Sequence, residues 1–494
     1  MNYLIPIYVF SLLVAYTSNV LAFDNYITRQ GHQLYDGTEV FRFAGIHAPE
    51  LHRIEDDSRG KCQEDSRGWG QYFKWPTADE QSNWIKALSR SGHKAMRIYT
   101  LSVAQRSDDK CGREAHILAP LTKGGMPRLN EEAFIHYDRM IMLADENNLR
   151  LILPFIDHWE WWGGRKQLAE FYGETEDDFY DVKSKTFEAY LSIVEDVITR
   201  KNSFTGRLYS EEKAIMAWET GNELKSTNES FLRIAASHIK SLAPNQLVVD
   251  GNYLSINSFS LNDPNVDIIS NHYYTVNGNN NPASVLNDLK AIDGAKVYMI
   301  GEFGLDKATN IRDVMQTAVH LSYKGAKTAG AFVWGFRGHR HDGGFYWHAD
   351  RDYFSYHIPG FPEGDSNEEQ AVVDLVREAQ AQMAGMNEPS KLPIPEPPLL
   401  RDILTAKNIR WMGAPLGRYY RIEVSSNRYT GWTTIASRIS DGMNKFNPET
   451  DIIFADKQSF EENETRYYRV FASNESGESL PSNVKSFTFP VNPE

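Results

Sequence analysis

The sequence predicts a parallel α/β barrel, a (β/α)8 fold of α/β class, followed by a small all-β unit. Three observations carry that expectation. Eight apolar runs of strand length alternate with segments of helical period as far as Met386. None of the runs opens a G-x-G-x-x-G or G-x-x-x-x-G-K loop, which a doubly wound nucleotide-binding sheet carries at its first turn. Beyond the proline-rich stretch 389–398 the apolar pattern drops to a period of two, as in half-buried strands.

The strand-like runs fall at 42–48, 94–100, 149–157, 214–223, 246–251, 266–274, 296–304 and 330–336. Each is nearly continuous in apolar residues, because a strand of a parallel sheet is covered on both faces. Helical segments with capping residues lie at 79–91, 130–147, 181–199, 229–242, 283–292, 310–323 and 367–383, with a short crossover at 254–261. Upstream, 31–40 reads as a hairpin turning at Asp36-Gly37. The long inserts follow the first, second, third and eighth runs, on the face where a barrel keeps its chemistry. Residues 387–400 then read as a stiff extended linker. In the final stretch, 419–425 and 466–472 alternate apolar and polar residues, with a turn at 474–479.

Composition bounds the function. The chain has 494 residues, 41% hydrophobic and 24% charged, which describes a globular protein. A net charge of -14 disfavours nucleic acid, since no basic stripe is present to neutralise phosphates. Residues 3–15 are apolar but too short to span a bilayer, and Val20-Leu21-Ala22 offers a signal-peptidase site. The expectation is a cleaved signal over 1–22 and a secreted, extracellular protein with no membrane partner. In that setting the two cysteines, Cys62 and Cys111, are expected to pair. Asn228, Asn463 and Asn474 head glycosylation triplets.

Two runs end in the same way. Ala214–Glu223 closes on Gly221-Asn222-Glu223, and Lys296–Gly304 closes on Gly301-Glu302-Phe303-Gly304. A carboxylic acid at the mouth of each of two buried strands is what double-displacement cleavage of a glycosidic bond needs. Glu223 is expected to be the acid/base, with the Asn222 amide holding a sugar hydroxyl beside the reacting carbon. Glu302 is expected to be the nucleophile, with Gly301 and Gly304 leaving room for the sugar to approach the backbone.

With Arg97 in Met96-Arg97-Ile98, His158 in Asp157-His158-Trp159, Asn222-Glu223, His272 and Tyr274 in Asn271-His272-Tyr273-Tyr274, Glu302 and Trp334, residues 23–386 resemble glycoside hydrolase family five. That resemblance implies a (β/α)8 barrel with catalytic glutamates on strands four and seven. It implies that Arg97 lies beneath the nucleophile, that Tyr274 hydrogen-bonds it and that Trp334 is a platform for the sugar. Asn222 and His272 would line the subsite, as would His158, its register open by one residue toward Trp159. Leu224 stands where many members have proline after Asn-Glu. The loop 339–348, His-Arg-His-Asp-Gly-Gly-Phe-Tyr-Trp-His, resembles that of mannan-active members. With Trp69, Trp75, Trp159, Trp161 and Trp162 it is expected to line a cleft. The spacing of His339, His341, Asp342 and His348 matches no zinc pattern, so sugar hydrogen bonding is expected of them and no metal or cofactor. Residues 401–494 resemble a fibronectin type III module, with Trp411 and Trp432 in its core.

The sequence therefore points to a monomeric, retaining enzyme acting on a β-linked polysaccharide, foremost an endo-β-1,4-mannanase. An exo-β-mannosidase or a cellulase would use the same residues. A non-catalytic carbohydrate-binding or adhesion protein would not need two placed carboxylates.

Overall fold

The computed structural model describes residues 23–65, 68–347, 355–362, 368–442 and 451–490. The segment 1–22 and His348 lie outside the described residues. Eight parallel strands form the barrel: β1 (Phe43–His47), β2 (Ala95–Arg97), β3 (Arg150–Pro154), β4 (Ile215–Glu219), β5 (Leu247–Asp250), β6 (Ile268–Tyr274), β7 (Val297–Gly304) and β8 (Ala326–Trp334). Pairing runs in chain order from β2 through β8, and β8 pairs in turn with β1. The Ala48 N–H donates to Arg97 O at 3.1 Å and brings β1 against β2, closing the ring.

The crossover helices are α1 (Ala78–Arg90), α2 (Glu131–Glu146), α3 (Lys185–Ile198), α4 (Glu229–Leu242), α5 (Ser258–Asn262), α6 (Pro282–Ile292), α7 (Ala308–His320) and α8 (Glu369–Met383). Local chemistry starts them. Thr77 and Glu80 make a reciprocal capping box at α1, and Asn130, Ser184, Asn228 and Asn281 each accept from a first-turn N–H of α2, α3, α4 and α6. Their apolar faces pack on the outside of the strands in one continuous core. A smaller core, including Phe43, Ile152, Ala217, Val249, Met299 and Phe332, fills the barrel below the site. The hairpin turning at Asp36-Gly37 delivers Leu34 to the same core, and the strand before it, Ile27–Gln30, delivers Ile27.

The insert after β1 folds into a short antiparallel pair, Ile54–Glu55 with Phe73–Lys74, and a disulfide joins its Cys62 to Cys111 after β2. The buried Arg113 guanidinium ties the two inserts further, through Asp65 (2.7 Å), the Gln71 carbonyl (2.9 Å) and Ser107 (2.9 Å).

After α8 the regular elements among the described residues are all β-strands. Strand β9 (Tyr419–Ser425) lies between β10 (Thr433–Ile439) and β11 (Thr465–Asn474), and β12 (Lys485–Thr488) pairs with β11, all antiparallel. Trp411 is in the core with Tyr420, Ile422, Tyr468 and Val470. Trp432, expected there too, is half-buried on the surface beneath the Arg469 guanidinium, 4.3 Å from the ring centroid. The proline-rich stretch is extended but does not act as a free spacer. Leu392 is buried, Glu396 pairs with Lys86 (2.9 Å) and Arg90 (3.1 Å) of α1, and the Ser390 carbonyl accepts from Arg377 of α8. Proline stiffness kept the stretch extended, while its outward carbonyls and one apolar side chain attached it to the barrel. Among the described residues no helix is long and apolar enough to cross a membrane.

Candidate active site

The carboxyl ends of β2, β3, β4, β6, β7 and β8 converge on a cavity of about 310 Å³. Glu223, four residues beyond β4, sits at a left-handed backbone angle (φ 51°). Such a φ is uncommon for a residue bearing a Cβ and is found at sites where the surroundings over-determine it. Glu302 enters from β7 at a register shift. His272 of β6 pairs with Glu302 and skips Gly301, so the bulge turns the Glu302 carboxylate toward β6. A carboxylate oxygen of Glu223 and one of Glu302 lie within 4.8 Å of each other, with the His272 ring between them.

The two acids have different surroundings. Glu302 accepts from Arg97 Nη1 at 2.5 Å and from the Tyr274 hydroxyl at 2.7 Å. Glu223 accepts from the Trp159 indole N–H at 2.5 Å, and His272 Nδ1 lies 2.9 Å from its other oxygen. Burial pushes Glu223 up to about 7, against weaker opposing effects of the Trp159 bond and the Arg97 and Lys225 charges. Burial raises Glu302 too, opposed by His272, Arg97 and the Tyr274 bond. His272 is brought down to about 4 by burial, so its imidazole is neutral at pH 7.

Arg97 is the hub beneath them and is shielded from solvent. Its Nε and Nη2 fork onto both oxygens of Glu219 (2.7 and 3.0 Å), Nη2 also donates to Asn222 Oδ1 (2.9 Å), and Nη1 reaches His47 Nε2 (2.9 Å). Burial disfavours its charge, but Glu219 and Glu302 outweigh that and hold it protonated. The Asn222 amide donates onward to Asp157 (3.0 Å) and Tyr99 (3.2 Å), and the Tyr99 hydroxyl donates to Asp157 (2.9 Å). Burial lifts Asp157 to about 8. The network is thus a chain of fixed donors and acceptors under the pocket floor, with its walls formed by Trp69, Trp159, Trp161 and Trp334.

Of the side chains expected at the site, Glu223, Glu302, Asn222, Tyr274, Trp159 and Trp334 line the cavity, while Arg97 and His272 lie directly behind it. Five expectations are corrected. His158 points away: its Nδ1 meets Arg165 Nε at 3.1 Å, and Trp159, one residue on, takes the place beside Glu223. Gly301 does not make room for sugar. A Cβ there would come within 2.6 Å of His272 Nε2, so the space belongs to that ring, and the nearest atom to Gly304 is the Trp334 carbonyl. The Asn222 amide is occupied by Arg97, Asp157 and Tyr99 rather than left for a sugar hydroxyl. In the loop after β8, three residues face away from the cavity: His339 is bonded to Asn83, His341 lies beside Asp79 and Arg401, and Phe345 is packed between His339 and His357. Finally, Trp162 is buried core and Trp75 stacks on His136, so neither belongs to the cleft.

Glu219, Tyr99, Asp157 and His47 were missed. Glu219 carried a usable signal, a carboxylate ending the apolar run Ile215–Glu219, which implies a buried cationic partner. Among the described residues, the one His/Asp/Glu group with atoms close enough to ligate a metal is Glu223, His272 and Glu302. Those atoms already share hydrogen bonds with Arg97, Tyr274 and Trp159, which a cation would have to displace.

Residues 82–310 match the family described as "GH family 5 beta-mannosidase-like". Mannan endo-1,4-beta-mannosidase 1 of Arabidopsis thaliana is 31% identical over 125 residues, covering 25% of this chain and 30% of that protein. Putative mannan endo-1,4-beta-mannosidase P of the same plant is 28% identical over 262 residues, or 42% and 64%. The chain spans 30 to 36% of the length of the first three curated relatives it matches. Among solved structures, an endo-1,4-beta-mannanase from Rhizomucor miehei superposes with a TM-score of 0.56 at 16% identity, over 73% of this chain and all of that one. The endo-beta-1,4-mannanase from Thermotoga petrophila gives 0.54 at 18% identity, over 93% and 99%. At such identities the likeness establishes the fold, a (β/α)8 barrel.

Proposed function

We propose that the chain is a glycoside hydrolase of family five that cleaves β-1,4-linked mannan internally with retention of configuration. The observation that carries this reading is the pair Glu223 and Glu302, whose oxygens approach within 4.8 Å across one cavity. That spacing fits the class in which the carboxyl groups stand about 5–5.5 Å apart, too close for an intervening water. Their unequal surroundings assign the roles. Glu302, gripped by Arg97 and Tyr274, is the nucleophile: an oxygen bonds to the anomeric carbon as the bond to the leaving oxygen breaks. Glu223, poised near 7, gives its proton to that leaving oxygen. In the second step Glu223 takes a proton from water, the hydroxide attacks the anomeric carbon, and Glu302 departs as a carboxylate. Positive charge developing on the sugar ring is met by Glu302, and Trp334 offers a flat face beneath the ring.

The names of the plant and microbial relatives support mannan as the substrate. A second reading, removal of single mannosyl units from chain ends, is favoured by the "beta-mannosidase-like" description of the matching family. Incubation with galactomannan, glucomannan and carboxymethylcellulose, with products resolved by size and the first-formed anomer read by NMR, separates these readings. A ladder of mannooligosaccharides with β-anomer first supports the proposal. Mannose alone supports exo action, and α-anomer first would overturn retention.

In the same proposal the protein is secreted after removal of 1–22, a setting that suits the Cys62–Cys111 disulfide. The carboxy-terminal sheets are proposed to form a fibronectin type III-like module, supported by the antiparallel order of β9, β10, β11 and β12.

A further inference from the structure

The loop after β8 is held from the far side by the carboxy-terminal β unit. His339 lies between them: its Nδ1 is 3.0 Å from Asn83 Oδ1 of α1, and its Nε2 is 3.3 Å from Asp441 Oδ2 beyond β10. Asn83 turns its amide N–H to the Gly413 carbonyl at 2.7 Å, so α1, the loop and the β unit meet in one closed circuit. Asn83, His339 and Asp441 are 4%, 1% and 4% exposed. A Cβ on Gly413 would collide with the His339 ring and the Asp441 carboxylate, so this backbone approach has no slack. The hydrogen bonds across this contact are those of Asn83, while His339 Nε2 and Asp441 approach without one, so the docked arrangement rests on the Asn83 bonds and the close passage of Gly413.

From His339 the circuit leads to the cavity. The next residue, Arg340, donates to Asp56 Oδ1 at 3.1 Å, and Asp56 follows Glu55, which lines the cavity wall. The His341 N–H and the Tyr346 hydroxyl both donate to Glu80 of α1, and the Trp84 indole donates to the His339 carbonyl. Five residues before His339 stands Trp334.

We propose that the carboxy-terminal β unit is a working part of the active-site wall, with His339 as the positioning residue through which it sets Arg340, Asp56 and Glu55. The kinetic side of this inference rests on the glycosidase reading above, while its structural side does not. Two full-chain variants test it, Gly413→Val, which drives a side chain into His339, and Asp441→Asn, which adds no bulk. The expected result is a rise in KM for mannohexaose on the order of ten-fold, with kcat per titrated active site and its pH profile unchanged. Hydrogen exchange over residues 50–58 is expected to accelerate to a similar extent. Faster exchange confined to residues beyond 399, with KM and exchange over 50–58 both at wild-type values, overturns the proposal. If the wild-type protein cleaves no β-mannoside, the glycosidase reading fails, and exchange over 50–58 alone decides this one. If Gly413→Val does not fold, Asp441→Asn supplies the same two readouts.

Discussion

Arg97 shows why the site is sensitive to single side chains. Buried with Glu219 and Glu302, it balances both charges, so removing it leaves two buried carboxylates without their cation. Arg97→Ala should therefore lower unfolding free energy by about 3–5 kcal/mol in denaturant melts. Glu302→Gln, which removes a charge and keeps the shape, should leave stability within about 1 kcal/mol while turnover falls by roughly four orders of magnitude. Proton bookkeeping sets the pH response. In the proposed mechanism Glu223 carries its proton when the glycosidic bond breaks, so kcat/KM should fall as pH rises through about 7. The proposed nucleophile Glu302 has to be ionised, which assigns the acid limb to its protonation. A profile measured with an aryl mannoside whose leaving group needs no proton should lose the alkaline limb in Glu223→Ala. Side-chain amides also decide where sugar can be attached. Asn228 is spent capping α4 and donating to Tyr180, and Asn474 donates to Pro393 and Leu416. Asn463 is exposed, so mass spectrometry of protein made in a eukaryotic host should find glycan there and at neither of the others.

At the scale of elements, the β6–β7 bulge is what brings the acids together. Gly301→Ala would press on His272 and Ser270, and kcat should fall on the order of a hundred-fold with the circular dichroism spectrum unchanged. The disulfide plays a similar part for the insert after β1, since Cys62 N–H bonds the Gly70 carbonyl between Trp69 and Gln71 of the cavity wall. All eight strands were legible because a strand buried on both faces leaves an uninterrupted apolar run. The expected start of β8 at Gly330 was four residues late, because exposed Lys327 breaks the run within the strand. Glutamates at strand ends were legible for the same reason, as polar residues where apolar runs stop. His158 and the loop 339–348 misled because composition says what a side chain can bond but not which way it faces. Glu219 ends an apolar run in the same way, whereas Tyr99 and His47 were hidden because their meaning lies in partners on other strands.

Across the whole molecule, acid should be a stress. His52 Nε2 lies 3.0 Å from the Tyr99 carbonyl, His52 Nδ1 is 2.9 Å from His116 Nε2, and His116 Nδ1 accepts from the Ser102 N–H. That order of bonds works only with both rings neutral. Burial brings His52 down to about 3 and holds His116 well below its ordinary value. A group whose folded value is depressed adds stability above its unfolded value and loses it as pH falls. Thermal midpoints should therefore drop between about pH 6.5 and 3, and His52→Gln should flatten that slope. The hairpin under the barrel has a consequence for biosynthesis. Ile27 and Leu34 dock on a floor that includes Phe332 of β8, and so does not exist until the last barrel strand has been made. Made before any barrel strand, this segment is therefore among the last to find its seat, and its apolar side chains must stay soluble until β8 has been synthesised.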